Sequence, residues 1–216
     1  MKRQDLEKIR KQGYFLPTDK SYFKPMLKTE VLLHSLNKTP IWNIPKRNFI
    51  IKMLFGSIKG KPLAIQNNFR CSSGQYIHIG NNFFANFNCM ILDRADVTIG
   101  DNVYLGPNDI IATMSHSLDY NQRRLQYYKD SFEPNKRTSV EKIAPIKIGN
   151  DVWICGGSVI LSGVTIGDNT VIGAGSVVTK DIPSNVLAYG VPCKVVRELT
   201  EEDKETFPEE INNIFV

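Results

Sequence analysis

From Ile148 onward the sequence divides into six-residue words: IGNDVW, ICGGSV, ILSGVT, IGDNTV, IGAGSV and, less regularly, VTKDIP. Each word opens on Ile or Val, and Gly often follows. An upstream block keeps the same habit, with IGNNFF from Ile79, ANFNCM from Ala85, IGDNVY from Ile99 and LGPNDI from Leu105. A period of six fits neither a 3.6-residue helix nor a heptad, and short fixed periods indicate a solenoid. It suits a short extended face followed by a sharp corner. The branched first residue fills the interior, and β-branched neighbours suit the extended faces. Gly, Asn and Asp tolerate the backbone angles of the corners. Three faces close a triangular coil of about 18 residues, and successive coils stack at roughly 4.8 Å, the ordinary strand spacing. Between Ile91 and Ile99 the inward positions are eight apart, so that turn holds two extra residues.

Around this core the chain divides into an N-terminal helical head over 1–62, a coil over 63–198 interrupted by an excursion over 113–145, and a helical tail over 199–216. The tail opens on TEED, where Thr200 and Asp203 form a capping-box-like start. The 216 residues suffice for one main core with appendages. Residues 1–61 carry 14 Lys/Arg against 4 Asp/Glu, whereas residues 184–216 carry 3 against 7. A basic head favours an anionic partner, although solvated helix faces account for it as well. No zinc-finger, basic-zipper or RNP pattern is present, so nucleic acid is not an expected partner. The apolar stretch NFIIKMLFGSIKGK fits docking on a membrane surface. It also fits capping the first open coil, and capping is favoured because an uncovered coil exposes unpaired backbone edges. A polar N-terminus and the lack of an apolar run near the roughly 20 residues that span a bilayer lead us to expect a cytoplasmic protein. The scattered Cys71, Cys89, Cys155 and Cys193 read as reduced, and no zinc site is expected.

Residues 74–112 and 146–198 resemble the hexapeptide-repeat acyltransferases, and within them the maltose/galactoside O-acetyltransferase branch. The elements NFFANFN, IGDNVYLGPN, GNDVWI, GAGSVVTKDIP and GVPCKVVRE carry the resemblance as a set. It implies a mainly β fold, a left-handed parallel β-helix, which departs from the usual right-handed crossover. It also implies direct transfer of an acetyl group from acetyl-CoA to a sugar hydroxyl, in a homotrimer whose sites lie between neighbouring coils. By position, His116 is the general base and the Gly156 N–H an oxyanion donor. Ser72, Asn86 and Asp93 are the acceptor contacts, and Trp153, Ala174, Thr179, Lys194 and Arg197 the coenzyme A contacts. An imidazole that titrates near neutrality suits deprotonation of a hydroxyl. Oriented amides suit a developing oxyanion, and cations suit phosphates.

Two departures bear on the acceptor. The branch's simple-sugar members hold an Asp and an Arg in the head where this chain has Pro17 and Met26; Asp19, Lys20 and Lys24 are candidate substitutes. The span from His116 to Trp153 is 37 residues, about a dozen longer than in those members. It contains DYNQRRLQYYKDSFEPNKRTSVEK, whose aromatic and cationic side chains suit a larger or acidic acceptor, such as a surface-polysaccharide unit or its precursor. Rival readings are an antibiotic or amino-sugar acetyltransferase, a non-catalytic β-helix scaffold, and a γ-class carbonic anhydrase. The last needs three clustered histidines, and the coil region holds only His78, expected to face outward, and His116.

Overall fold

The computed structural model describes residues 3–17, 22–62, 64–127, 137–212 and 214. The hexads form strands of two or three residues on three parallel faces. The first face stacks Ser57–Ile58, Ile77–Ile79, Val97–Ile99, Ile146–Ile148 and Thr165–Ile166. The second stacks Ala64–Ile65, Phe84–Ala85, Tyr104–Leu105, Trp153–Ile154 and Val171–Ile172. The third stacks Arg70–Cys71, Met90–Leu92, Ile110–Ala112, Val159–Ile160 and Val177–Val178. Inward positions align in columns: Ile77, Val97 and Ile146 on the first face; Ile65, Ala85, Leu105, Ile154 and Ile172 on the second; Ile91, Ile111, Ile160 and Val178 on the third. All are buried in one apolar core. Burial of each large member contributes about 1.5–3 kcal/mol.

Coil length changes along the stack. Ile77 pairs with Val97 and Met90 with Ile110, 20 residues on. Trp153 pairs with Val171 and Val159 with Val177, 18 residues on. The two extra residues sit in the corner between the third and first faces, as the eight-residue spacing from Ile91 to Ile99 indicates. At that corner the excursion leaves, so Val97 pairs with Ile146, 49 residues away.

Asparagine ladders hold the other corners. Asn68, Asn88 and Asn108 have φ between 63° and 64°. The Asn68 amide donates to Asn88 Oδ1, and the Asn88 amide to Asn108 Oδ1, each at 3.1 Å. Asn is among the few side chains that tolerate this left-handed backbone, and its amide satisfies its neighbour.

The head contains helices Arg3–Lys11, Phe23–Lys38 and Ile44–Leu54, and a strand, Tyr14–Phe15. Leu33, Leu36, Ile50, Ile51 and Leu54 join the coil's apolar core and cover its first turn. Arg47 is buried there and donates to the carbonyls of Leu36, Thr39 and Ile65. Its fork of donors thus occupies a carbonyl that the first coil leaves open at its edge. At the other end, Val186–Gly190 continues the second face and pairs antiparallel with Cys193–Glu198.

The tail is not one continuous helix. Thr200 and Asp203 do form the capping box, but it opens only the single 3-10 turn Glu201–Asp203, and Glu209–Asn212 is a separate short helix. Pro208 intervenes, and a proline disfavours helical backbone in the residue before it.

Candidate active site

The excursion begins as strand Met114–His116 and returns as Glu141–Ile143, and the head strand Tyr14–Phe15 pairs on the far side of the return. In this antiparallel sheet His116 lies opposite Glu141, and Glu141 opposite Phe15. Directly opposed residues project to the same side, so these three share one side with Met114 and Ile143. That side packs on the coil: Phe15, Ile143 and Ala95 form a small apolar cluster, with the Arg94 guanidinium 4.5 Å from the Phe15 ring centroid. His116 stands at its open end, exposed.

Glu141 is 8% exposed, and its Oε2 is buried with no hydrogen-bond partner. Burial raises its carboxyl above the ordinary range, against the pull of Arg94 and His116. A buried carboxylate beside an imidazole is suited to orient the ring and to stabilise the imidazolium as it forms. Sequence reasoning passed over Glu141, which lies in the irregular stretch SVEKIAP. The signal available was its alternation with Ile143, which puts a charge in the inward phase of a strand.

Asp93 and Ser72 meet at the corner between the third and first faces. Asp93 is fully buried. Its Oδ1 accepts from the Ser72 and Ser73 amides at 3.0 and 2.8 Å, and its Oδ2 from the Tyr76 amide at 3.3 Å. Burial raises its pKa, and these backbone donors oppose the rise. One coil further, Thr113 Oγ1 accepts from the Arg94 and Ala95 amides in the same manner. Asp93 thus belongs to a column of corner ties and presents no free surface in the protomer, in contrast to the direct sugar contact expected from the resemblance. Ser72 is half-buried beside it. The same corner, one coil on, launches the strand that carries His116.

Asn86, Gly156 and Ala174 lie on a different edge, between the second and third faces. Asn86 Oδ1 accepts from the Phe87 amide at 2.8 Å. Gly106 and Gly156 pack backbone on backbone, since a Cβ on Gly106 would lie 2.2 Å from the Gly156 nitrogen. Among the described residues the Gly156 N–H makes no hydrogen bond. The asparagine ladder of this edge stops here. After Asn68, Asn88 and Asn108, the same left-handed position holds Gly157 and Gly175, with φ of 77° and 70°. A Cβ at Gly175 would meet nothing within 4 Å. The edge is stripped of side chains beside the exposed Trp153 and Ala174, as a slender ligand arm would require. Beneath the turn, buried Asp109 accepts from the Ser158 amide at 2.8 Å, its Oδ2 lacks a partner, and burial pushes its carboxyl up to about 7.

Thr179 is exposed where the third face ends, and Lys194 and Arg197 are exposed on the last strand. Arg197 is engaged by Asp203 through both Nη atoms, which raises the guanidinium pKa and pulls the carboxyl down to about 2. His78 faces outward, 2.8 Å from Ser57 Oγ and 3.8 Å from Asp96. Of the head residues considered for the acceptor, Met26 and Lys24 are exposed on the second helix, and Asp19 and Lys20 lie outside the described residues, as do 128–136 of the excursion.

Residues 145–180 match the family described as bacterial transferase hexapeptide (six repeats). The galactoside O-acetyltransferase of Escherichia coli (strain K12) is 41% identical over 202 residues, 93% of this chain and 92% of that protein. The chain belongs to the hexapeptide-repeat acyltransferases. Among solved structures, this acyltransferase is similar to a maltose O-acetyltransferase from Clostridium difficile 630, at 40% identity and a TM-score of 0.79, covering 91% of this chain and 98% of that one. It is also similar to a galactoside acetyltransferase in complex with coenzyme A, at 38% identity and a TM-score of 0.81, covering 95% and 96%. The acyltransferase's coil is a solenoid β-helix of parallel strands.

Proposed function

We propose that the protein transfers the acetyl group of acetyl-CoA to a hydroxyl of a sugar. His116 takes the hydroxyl proton as the oxygen bonds to the acetyl carbon, and Glu141 orients the imidazole and balances its charge. The Gly156 N–H receives the carbonyl oxygen as it becomes an oxyanion. The C–S bond then breaks, and the imidazolium returns its proton to the departing thiolate. The stripped edge at Gly157 and Gly175 takes the pantetheine arm, flanked by Trp153, Ala174 and Thr179. Lys194 and Arg197 face the phosphates. The observation that carries the reading is His116 across from a buried carboxylate at the edge of a hexapeptide coil.

The active unit in this reading is a homotrimer. Within one protomer the edge bearing His116 and the edge bearing Gly156 are separated by the whole third face, roughly 15–20 Å of extended chain. A base and an oxyanion donor must lie within a few ångströms of one carbonyl, so the two edges belong to neighbouring protomers. Ser72 and Asn86 are divided between edges in the same way. No metal takes part in this scheme, and the reaction belongs in the cytoplasm. The acceptor is a polysaccharide unit or precursor rather than a free simple sugar, because Pro17 and Met26 replace the Asp and Arg of the branch.

The test is thiol release from acetyl-CoA over a panel of sugars, oligosaccharides, nucleotide sugars and antibiotics, alongside sedimentation. Transfer to a sugar hydroxyl by a trimer, lost in His116→Ala, is the expected result. A preference for an amino group or an antibiotic would reassign the acceptor. Absence of transfer to any member would favour the scaffold reading.

A further inference from the structure

The three-stranded sheet has a second side, opposite His116 and Glu141. Tyr14, Ser115 and Lys142 are cross-strand partners on it, and by strand alternation Val140 and Ser117 share it. Over this side folds the middle of the excursion: helix Tyr120–Arg123, then strands Gln126–Tyr127 and Arg137–Thr138. Between them lies a cavity of about 670 Å³, lined by Tyr14, Ser117, Asn121, Gln122, Gln126 and Lys142, together with Val140. None of the acceptor or donor residues discussed above lines it.

Its chemistry is that of a saccharide site. Asp119 caps the helix by accepting from the Asn121 and Gln122 amides at 2.7 and 3.1 Å, which fixes two lining residues. Gln122 Oε1 accepts from Ser117 Oγ, leaving its NH₂ to donate. Gln126 Nε2 donates to the carbonyls of Asn121 and Arg124, leaving its Oε1 to accept. Among the described residues the Asn121 side chain and the Lys142 ammonium make no hydrogen bond or ion pair. Tyr14 is 42% exposed and offers a ring face. Oriented amide donors and acceptors, one aromatic face and one cation are what a pyranose bearing a carboxylate requires. The volume lies within the usual range for ligand pockets, about 300–1,000 Å³.

We propose that this cavity is a second saccharide subsite, which takes an anionic sugar residue of an oligosaccharide at a distance from the acetylated hydroxyl. The inference rests on the sugar-acetyltransferase reading above, and it locates polymer recognition on the outer side of the same sheet whose inner side holds His116. Chain running past Ser117, one residue beyond His116, would connect the two.

The test is calorimetric titration with trigalacturonate, with maltotriose as the neutral comparator, on wild type, on the double variant Asn121→Ala/Lys142→Gln and on His116→Ala. Wild type and His116→Ala should bind trigalacturonate alike and at least tenfold more tightly than maltotriose. The double variant, with an unchanged melting temperature, should lose at least tenfold for trigalacturonate. Lys142→Gln alone should abolish the preference over maltotriose. Absence of binding to wild type, equal affinity for the two probes, or affinity that survives the double variant would each overturn the subsite. Retained binding in a protein that acetylates no sugar would instead overturn the catalytic reading and leave the subsite standing.

Discussion

Glu141 lies directly across from His116, buried on the inner side of the sheet, and its Oε2 has no hydrogen-bond partner among the described residues. In the proposed reading the imidazole turns one ring nitrogen toward this carboxylate and the other toward the substrate. His116→Ala should therefore reduce kcat by roughly 10²-fold or more, the usual contribution of a general base, while KM for acetyl-CoA stays unchanged. Glu141→Gln should reduce kcat by roughly tenfold at pH 8. The Glu141 carboxyl titrates above the ordinary range, so falling pH neutralises it in the wild type and removes the advantage over glutamine. The ratio of wild-type to variant kcat should shrink as pH falls. A ratio constant across the pH range would exclude the pairing from catalysis.

The replacement of asparagine by Gly157 and Gly175 in the corner ladder yields a second prediction. Asn occupies the same left-handed backbone at Asn68, Asn88 and Asn108, and a Cβ at Gly175 meets no neighbour. Gly175→Asn should therefore fold with a melting temperature close to that of the wild type. Its side chain would stand where the proposed reading seats the pantetheine arm, and KM for acetyl-CoA should rise at least tenfold with the acceptor KM unaltered.

Arg197 is held by Asp203 in a paired hydrogen bond. If the guanidinium serves the coenzyme phosphates, the carboxylate competes with them. Asp203→Asn should lower KM for acetyl-CoA two- to threefold, and Arg197→Ala should raise it. Opposite signs for the two variants in steady-state assays are the decisive result. Equal effects in one direction would make the pair a tether for the tail alone.

Asp109 predicts a pH dependence of stability. Its folded pKa, pushed up to about 7, lies above the unfolded value near 3.8. Below the unfolded value both states are protonated and its contribution is complete. As pH rises toward the folded value, the unfolded chain releases the proton first and stability falls. Asp109→Asn keeps an oxygen for the Ser158 amide and removes the titration. The variant should gain on the order of 2 kcal/mol over the wild type at pH 8, at about 1.4 kcal/mol per pKa unit with allowance for relaxation. The gain should be much smaller at pH 4, which denaturation at the two pH values would measure.

The coil was legible because its signal is local and repeated: Ile154, Ile160, Ile166 and Ile172 each state the same period and occupy the columns that the period assigns. The lengthened corner was legible for the same reason, as an eight-residue gap in a six-residue pattern. The partnership of His116 was not, because it depends on three segments without periodicity meeting in one sheet, one of them Tyr14–Phe15 from the head. Asp93 was read as a polar corner residue available to a sugar. Its burial under the corner it ties could not be inferred from a sequence in which Asn and Asp recur at corner after corner with both exposed and buried side chains. In the tail, the cap at Thr200 was visible, but Arg197 recruits the capping Asp203 from outside the helix.

The excursion leaves the stack at the corner where coils already carry two spare residues, and the coils after it revert to the shorter repeat. Length added beyond His116 displaces no inward column and neither asparagine ladder, and it leaves the ties of that corner, at Asp93 and Thr113, on the coil side of the insertion. Insertions and deletions in the excursion are therefore nearly invisible to the packing on either side. Over evolutionary time such a scaffold can exchange the recipient of its chemistry by lengthening or trimming one loop, while the machinery that holds the activated group is inherited untouched.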